Sequence, residues 1–530
     1  MESGRICRGF NLAVIAGNAV SGGILRSLAL AAGVAAMVSV GCDFAAAADY
    51  AAGGGVISAP SGFATAVGSG ASTLGTSATA FGAGATALGD AATAAGAGNI
   101  ASGTNATAYG ANSNANGTNA TAIGENSFAL GTNASATGQN SRANGTSATA
   151  FGWDSTATGL NATATGSNNF AIGDNATATG AASSANGTNA TATGQHSLAT
   201  GEDATATGVN SSAVGTFATA TGSGSTATGD RATATGVGSA ANGANATATG
   251  VNSTATGVNA TATGASSSAV GDAATASGAF SAANGTNATA TGTFSSATGE
   301  FASATGSNSS ATGANATAAG ESSTATGTSA TAMGQGSLAN GATASAYGQG
   351  SLANGDATTA IGQGSRAIAA GATAIGQGAV ALAMNSVAIG SGSVATLANT
   401  VSFGTPGNER RLTNVAAGIS PTDAVNVGQL SGLTSGFQSQ FAGLQAEVTN
   451  NQREARSGTA LALAATGLQY DQRPGKASIA TAVANYKGQS GVAVGLGYAV
   501  SDRWRVNAAF TSAPQVNDYG VVAGASFTLN

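Results

Sequence analysis

The sequence predicts a mainly β protein. Its largest part is a flattened parallel β-roll, followed by a short coiled coil and a terminal set of membrane-spanning strands. Three observations carry this. Glycine stands at 68, 75, 82, 89 and at every seventh position to 362, with alanine two residues before each except at Thr73. The residues between alternate small apolar with hydroxylated, as in Asn189-Ala190-Thr191-Ala192-Thr193 before Gly194. The chain then closes with four runs, each about the ten residues that a tilted spanning strand requires.

Composition sets the outer bounds. Among 530 residues there are 83 glycines, while aromatics make up 5% and charged residues 7%, too few large side chains for several conventional cores. Net charge is −6. Between 68 and 362 the cations are Arg142 and Arg231 against scattered Asp and Glu. Binding nucleic acid requires clustered Lys and Arg that displace counterions, so that class is excluded.

Residues 1–48 read as an export signal. Arg5, Arg8 and Arg26 precede the apolar run Leu28 to Val40, and small residues at Ala46 to Ala48 offer a cleavage site. The run is shorter than the roughly 20 residues of a spanning helix. Ser39-Val40-Gly41 before Cys42 is a poor version of the sequence that precedes a lipidated cysteine. Cys7 and Cys42 both lie inside this segment, so the exported chain is expected to have neither disulfides nor thiolate chemistry. Residues 49–63 read as a linker.

From 64 to 398 the heptad governs. A coiled coil is rejected, because a glycine in each heptad costs about 1 kcal/mol relative to alanine in a helix, and the apolar a/d stripe is missing. Alternation instead puts alanines on one side of a short strand and threonines on the other, and threonine's branched Cβ favours the pleat. Each glycine is expected to supply a bend through positive φ. Neighbouring heptads differ in character: TNATAYG, ending at Gly110, is followed by ANSNANG. This predicts coils of two strands, with alanine filling a narrow interior. At about 4.8 Å per stacked strand, some 21 coils would make a rod on the order of 100 Å long. On the outer side Val67, Leu74, Phe81, Leu88, Ile123, Phe151, Ile172, Val214, Val270, Ile361 and Ile375 interrupt the threonines. Such a row is expected to bury against another subunit.

Past Gly362 the pattern becomes more apolar, and NSVAIGSGSVA appears at Asn385 to Ala395. It resembles the head repeat of the YadA-like trimeric autotransporter adhesins. The stretch NTVSFGTPGNERRLTNVAAGISPTDAVNVGQL, 399–430, resembles the neck of that family almost residue for residue. The resemblance implies a left-handed parallel β-roll, three side by side, and a neck that passes each chain to its neighbour in an obligate homotrimer. It also implies that Arg411, Asn414, Val415, Asp423, Ala424, Val425, Asn426, Val427 and Leu430 bond or pack between chains. Gly428 departs from the family pattern, where Ala or Lys-like residues are commoner. From the residues alone, Thr422-Asp423-Ala424-Val425 predicts a helix start with Thr or Asp as cap.

Residues 431–465 read as coiled-coil stalk and pore helix. Leu430, Phe437 and Leu444 fall seven apart, with Phe441 and Val448 on a second row. Asn451 continues the first row, and in the family an asparagine there lines the trimer axis and can hold an anion. A frayed polar helix end is the alternative. Residues 466–530 read as the membrane anchor. Its strands are expected at Ala477 to Lys487, Ser490 to Val500, Arg503 to Ser512 and Tyr519 to Asn530. Val492, Val494, Leu496 and Tyr498 face lipid, and Ala493, Gly495, Gly497 and Ala499 face inward. Tyr486, Trp504, Tyr519 and Phe527 are expected in interfacial girdles. Four strands cannot close, and open edges in lipid leave backbone groups without partners, so three chains must form one 12-stranded barrel.

No enzyme is expected. His196 is the sole histidine and stands in Gln195-His196-Ser197, a variable bend, where it reads as a surface residue, whereas a hydrolase needs a nucleophile and base in a preorganised pocket. Calcium-binding repeats require an aspartate in each turn, and most turns here lack one, so neither cofactor nor metal is expected. The resemblance implies a surface adhesin held in the outer membrane, exported through the signal segment and assembled by the barrel-assembly machinery. Its partners would be outer-membrane lipid and a surface ligand: matrix protein, glycan, an abiotic surface or a further copy. A competing class comes from Thr163, Thr165, Thr177 and Thr179, whose spacing resembles the ice-binding face of some β-helical antifreeze proteins. A third is a passive spacer or coat.

Overall fold

The computed structural model describes residues 49–58 and 63–530. The expected export signal at 1–48 lies outside the described residues. The chain forms two compact units, one ending at Glu409 and the other running from Arg410 to Asn530.

The first unit is a parallel β-solenoid. Three-residue strands, with a two-residue strand last, build a wide sheet of 26 strands, from Tyr50–Ala52 to Val401–Ser402. Two-residue strands build a narrow sheet on the other face, from Val56–Ile57 to Val394–Ala395. Each strand pairs in parallel with its counterpart one coil on, as Thr121↔Ser135, Ala122↔Ala136 and Ile123↔Thr137. The coil is therefore two heptads, as their alternation in character predicts. At about 4.8 Å per strand the unit is on the order of 120 Å long.

Alternation decides which side is inside. Ala120 and Ala122 are fully buried, and Thr121 between them is half-buried. In the narrow sheet a buried serine takes the place of the first alanine and donates its hydroxyl to the carbonyl three residues back: Ser127 Oγ to Gly124 O, 3.0 Å, and Ser141 Oγ to Gly138 O, 2.9 Å. Most of these buried hydroxyls thus acquire the partner that desolvation requires, whereas that of Ser113 has none. Thr73, where the alanine rule lapses, is fully buried and its hydroxyl has no partner. Because the interior holds methyls and hydroxyls, coil-to-coil backbone bonds such as Asn119 N to Thr104 O, 2.8 Å, and Gly124 N to Tyr109 O, 2.7 Å, supply much of the cohesion.

The bends work differently from the expectation. Only alternate glycines carry positive φ: Gly110, at the end of a wide-sheet strand, has φ +135. Gly117, closing the narrow-sheet strand, does not, but a Cβ there would overlap the carbonyl of Gly131 in the next coil. One glycine class answers to torsion and the other to space. The recurrent left-handed residue lies two positions after the glycine. It is most often asparagine, as Asn105 (φ 56) and Asn119 (φ 55), a residue that tolerates that region. Their amides form ladders along the axis, Asn105 to Asn119 at 3.1 Å and Asn119 to Asn133 at 3.0 Å.

The segment read as a linker at 49–63 contains the first coil: Tyr50 pairs with Thr65 and Val56 with Ser72. These offsets exceed the fourteen of every later coil, which hides the coil from a fixed-period search. At the far end Val401 pairs with Val387, so the roll also runs past 398.

In the second unit a single helix, Val427–Thr466, is followed by four antiparallel strands, Ala477–Tyr486, Gln489–Ala499, Trp504–Ala513 and Asp518–Phe527. They pair in sequence order. Each boundary falls close to its expected place, except that the last strand stops at Phe527. No helix among the described residues is long and apolar enough to cross a membrane, which says nothing about strands.

Candidate functional site

The outward side of the wide sheet has two columns. One is almost all threonine, such as Thr107, Thr121 and Thr163. The other carries Phe81, Ile123 and Phe151 toward one end and Met333, Tyr347, Ile361 and Ile375 toward the other, with threonine, interrupted by Ser277, between Thr165 and Thr305. Phe81 is 39% exposed and Phe151 56%, so a single roll leaves this face partly bare.

The two bend edges of the roll differ. The edge before each wide-sheet strand carries a column of acids that sequence reading took as scattered. Asp90 accepts from Thr76 N (2.8 Å) and Oγ1 (2.7 Å), Asp174 from Leu160 N (2.9 Å), and Asp272 from Val258 N (2.9 Å). They tie one coil to the last. The Thr76 hydroxyl and amide hold the Asp90 carboxyl below its ordinary range. The opposite edge carries an amide ladder, Gln377 to Gln363 (3.1 Å), Gln363 to Gln349 (2.9 Å) and Gln349 to Gln335 (2.8 Å). It also carries Phe280 stacked on Phe294, centroids 4.9 Å apart and planes 6° apart. His196 lies exposed on that edge, in a left-handed bend.

The residues of the second unit that precede the helix are built around its start. Asn426, not Thr422 or Asp423, is the N-cap: its side chain accepts from Gln429 N at 2.9 Å while Gln429 Oε1 accepts from Asn426 N at 3.3 Å. This is a capping box. Gln429 also clamps Gly418, donating to its carbonyl (2.9 Å) and accepting from its amide (2.8 Å), and Asn426 Nδ2 donates to Val415 O at 3.0 Å. Asp423 instead closes the preceding turn, accepting from Ile419 N and Ser420 N, both at 2.9 Å. Those amides, Ser420 first, hold its carboxyl below the ordinary range. Asn414 has φ 62. Val415, Asp423 and Asn426 are therefore brought together with Gln429, which sequence reading missed although Asn-x-x-Gln is a capping pattern. Arg411, Val425, Val427 and Leu430 are exposed.

Along the helix Leu430, Phe437, Phe441, Leu444 and Val448 form an exposed apolar stripe, and Asn451 continues it, also exposed. Farther on Ser457, Ala460, Leu461 and Ala464 are buried against the sheet. Their seat is made by missing side chains. In the second strand Gly491, Ala493, Gly495, Gly497 and Ala499 are buried, and Val492, Val494, Leu496 and Tyr498 stand outward. A Cβ on Gly491 would overlap the Ala460 carbonyl, and one on Gly495 would meet the Tyr470 hydroxyl.

Outward aromatics gather in two places: Trp504 with Phe527, centroids 5.0 Å apart, and Phe510 with Tyr519, 6.2 Å. Tyr486 departs from the expected girdle. Opposite Gln489 in the register, it shares the side of Gly491 and the helix. The helix leaves Val522 bare: it pairs with the buried Ala509, lies on the same inner side, and is 45% exposed. On that side a cavity of about 240 Å³ touches Tyr470, Arg505, Asn507 and Ser526. The Tyr470 hydroxyl and Arg505 Nε are buried without hydrogen-bond partners. The inner face is thus unfinished in one chain. The outer edges of the first and fourth strands pair with no other strand.

Family models match along the chain. The YadA head domain repeat matches in many stretches from 63–85 to 381–405, the coiled stalk of trimeric autotransporter adhesin matches 411–453, and the YadA-like membrane anchor domain matches 469–529. Similar curated proteins include the autotransporter adhesins BtaF and BtaE of Brucella suis biovar 1 (strain 1330). BtaF is 46% identical over 17% of this chain and 31% of that protein. BtaE is 33% identical over 22% of this chain and 19% of that protein. The chain thus spans less than a third of the length of each. Among solved structures, that of the collagen-binding domain of Yersinia adhesin YadA is 32% identical, covering 34% of this chain and 86% of that one, with a TM-score of 0.24.

Proposed function

Because the chain belongs to the YadA-like trimeric autotransporter adhesins, we propose that it is a homotrimeric surface adhesin. Its solenoid is displayed outside the cell and its terminal strands anchor it in the outer membrane. The observation that carries this is the anchor sheet: four strands with an apolar outer face, two open edges and an incomplete inner face. Open edges in lipid strand backbone donors and acceptors at several kcal/mol each. Three copies remove all six edges by forming one 12-stranded barrel, and three helices then cover inner positions such as Val522.

The same threefold arrangement gives the other surfaces a partner. The stripe Leu430, Phe437 and Leu444 becomes the seam of a trimeric stalk, with Asn451 at the axis, where its amide would suit an anion. Arg411, Asn414, Val415, Asp423, Val425, Asn426, Val427 and Leu430 become inter-chain contacts of the neck. The rolls, left-handed as in the family, pack side by side and cover the apolar ends of the wide sheet. Export uses the signal segment at 1–48 and the barrel-assembly machinery. Adhesion follows from repetition: three identical faces along a rod raise avidity without a deep pocket, whether toward matrix protein, glycan, an abiotic surface or a further copy. Cells carrying the full chain are expected to attach to at least one such surface, and cells lacking 64–396 are not. Equal attachment to every surface tried refutes the proposal.

A second reading rests on the threonine columns between Thr163 and Thr305, whose outer member is exposed in a single chain from Thr193 onward except at Ser277. If that face stays bare in the assembly, it presents a regular hydroxyl array to ice. Thermal hysteresis of the purified head decides it, and its absence ends this reading.

A further inference from the structure

Four phenylalanines on the bend edges, Phe217, Phe280, Phe294 and Phe301, have φ between 55 and 58 and are at least half exposed. A ring-bearing residue adopts that backbone only at a cost. Asparagine or glycine most often fills the equivalent bend elsewhere, and the Phe280–Phe294 stack and Arg231, 5.9 Å from the Phe217 ring centroid, compensate only in part inside the chain. Their placement suggests what does. Trp153 stands on one edge and Leu160 on the other, and both are exposed. Seven residues are half a coil, so the two lie on opposite edges at nearly the same height, within about 2.4 Å along the axis. The coincidence recurs with Val251 and Val258, and with Phe294 and Phe301. Val209 and Phe217, eight apart, repeat it, and all six are exposed.

We propose that in the trimer successive rolls meet edge to edge, so that the apolar residues of one edge pack on the level-matched residues of the next chain's other edge: Trp153 on the partner's Leu160, Val209 on Phe217, Val251 on Val258, and Phe294 on Phe301. This rests on the threefold reading above. A ring of three chains at equal height joins unlike edges by symmetry, so a residue finds its partner at its own level. Charge agrees. From Val209 to Phe294 the first edge carries no charged residue, whereas the second carries Glu202, Asp203, Asp230, Arg231, Asp272 and Glu300. Unlike edges therefore meet without acid facing acid, and the strained rings of Phe217, Phe294 and Phe301 are covered.

The test is disulfide trapping in the full-length protein extracted from outer membranes. Phe294→Cys with Phe301→Cys, and separately Trp153→Cys with Leu160→Cys, are expected to give a covalent trimer on mild oxidation, because bridged Cα atoms must come within about 7 Å. Within one chain each pair lies on opposite edges and cannot close. Val251→Cys with Phe301→Cys is displaced by roughly three coils, about 15 Å, and is expected to give none. If neither matched pair links while the unheated extract still has trimer mass, the edge contact is wrong and the trimer stands. Linking of the displaced pair as readily as the matched ones also overturns it. Monomer mass removes both.

Discussion

Gly491 and Gly495 sit four residues apart on one inner face, and replacing each by alanine separates a backbone obstacle from a side-chain one. The alanine Cβ at 491 would run into the Ala460 carbonyl and the Leu461 amide of the helix, whereas at 495 it meets the end of the Tyr470 side chain. Relieving the first requires the helix to retreat by roughly 1 Å to regain a separation of about 3.5 Å, which forfeits a quarter to a half of the dispersion energy along the contact. Overpacking of this kind costs about 1–3 kcal/mol, so in the proposed three-chain barrel the loss is about 3–9 kcal/mol together. Gly495→Ala is relieved when Tyr470 swings aside and is expected to cost less than about 1 kcal/mol per chain. The assay is the fraction of unheated, detergent-extracted protein that runs as trimer across a urea series, alongside protease accessibility of the head on whole cells. Gly491→Ala should shift the midpoint downward and reduce display, with Gly495→Ala near wild type. Equal behaviour of the two variants, or the reverse order, refutes the argument that the helix backbone rests on Gly491.

In the roll, Gly117→Ala is expected to cost about 2–3 kcal/mol, because its Cβ overlaps the backbone of the next coil, whereas the exposed neighbour Asn116→Ala changes stability by no more than about 0.5 kcal/mol; urea unfolding followed by circular dichroism ranks them. Gln429→Ala removes half of the capping box and both bonds to Gly418, for an expected loss of about 1–2 kcal/mol at the helix start, read as faster amide exchange at Gly418 and Asn426. Asp423 has a folded pKa below its unfolded value, so the stabilisation it gives its turn is present above the ordinary carboxylate range and is lost as pH falls through the depressed value. Exchange protection of the Ile419 and Ser420 amides should therefore drop on acidification below that range, and Asp423→Asn should abolish the dependence.

Much of the fold was legible because a strand's period is two. Thr121 between Ala120 and Ala122 announces which side is inside, and the outward valines of Val492 to Tyr498 do so in the anchor. The two reasons for glycine were not legible. Gly110 and Gly117 are the same letter, and only coordinates separate a torsion requirement from a lack of room. The coil at Tyr50 escaped because its offsets of fifteen and sixteen residues break the period. The helix start was misplaced because Thr422 and Asp423 are good caps in isolation, while the tie that decides the matter reaches back from Gln429 to Gly418, a contact invisible to local pattern. The column of acids looked scattered in a linear reading. It aligns once positions are folded at fourteen rather than seven.

The fourteen-residue coil also makes the gene's repetitiveness a source of graded change. Unequal recombination that gains or loses the codons for one coil leaves each alanine, serine and glycine in its own column and displaces the distal tip by about 4.8 Å. A seven-residue slip instead sends serines into the alanine column and turns the broad face to the opposite side. Selection therefore has whole rungs to add or remove, and the length of the solenoid can drift between lineages in fixed increments while the architecture stays constant.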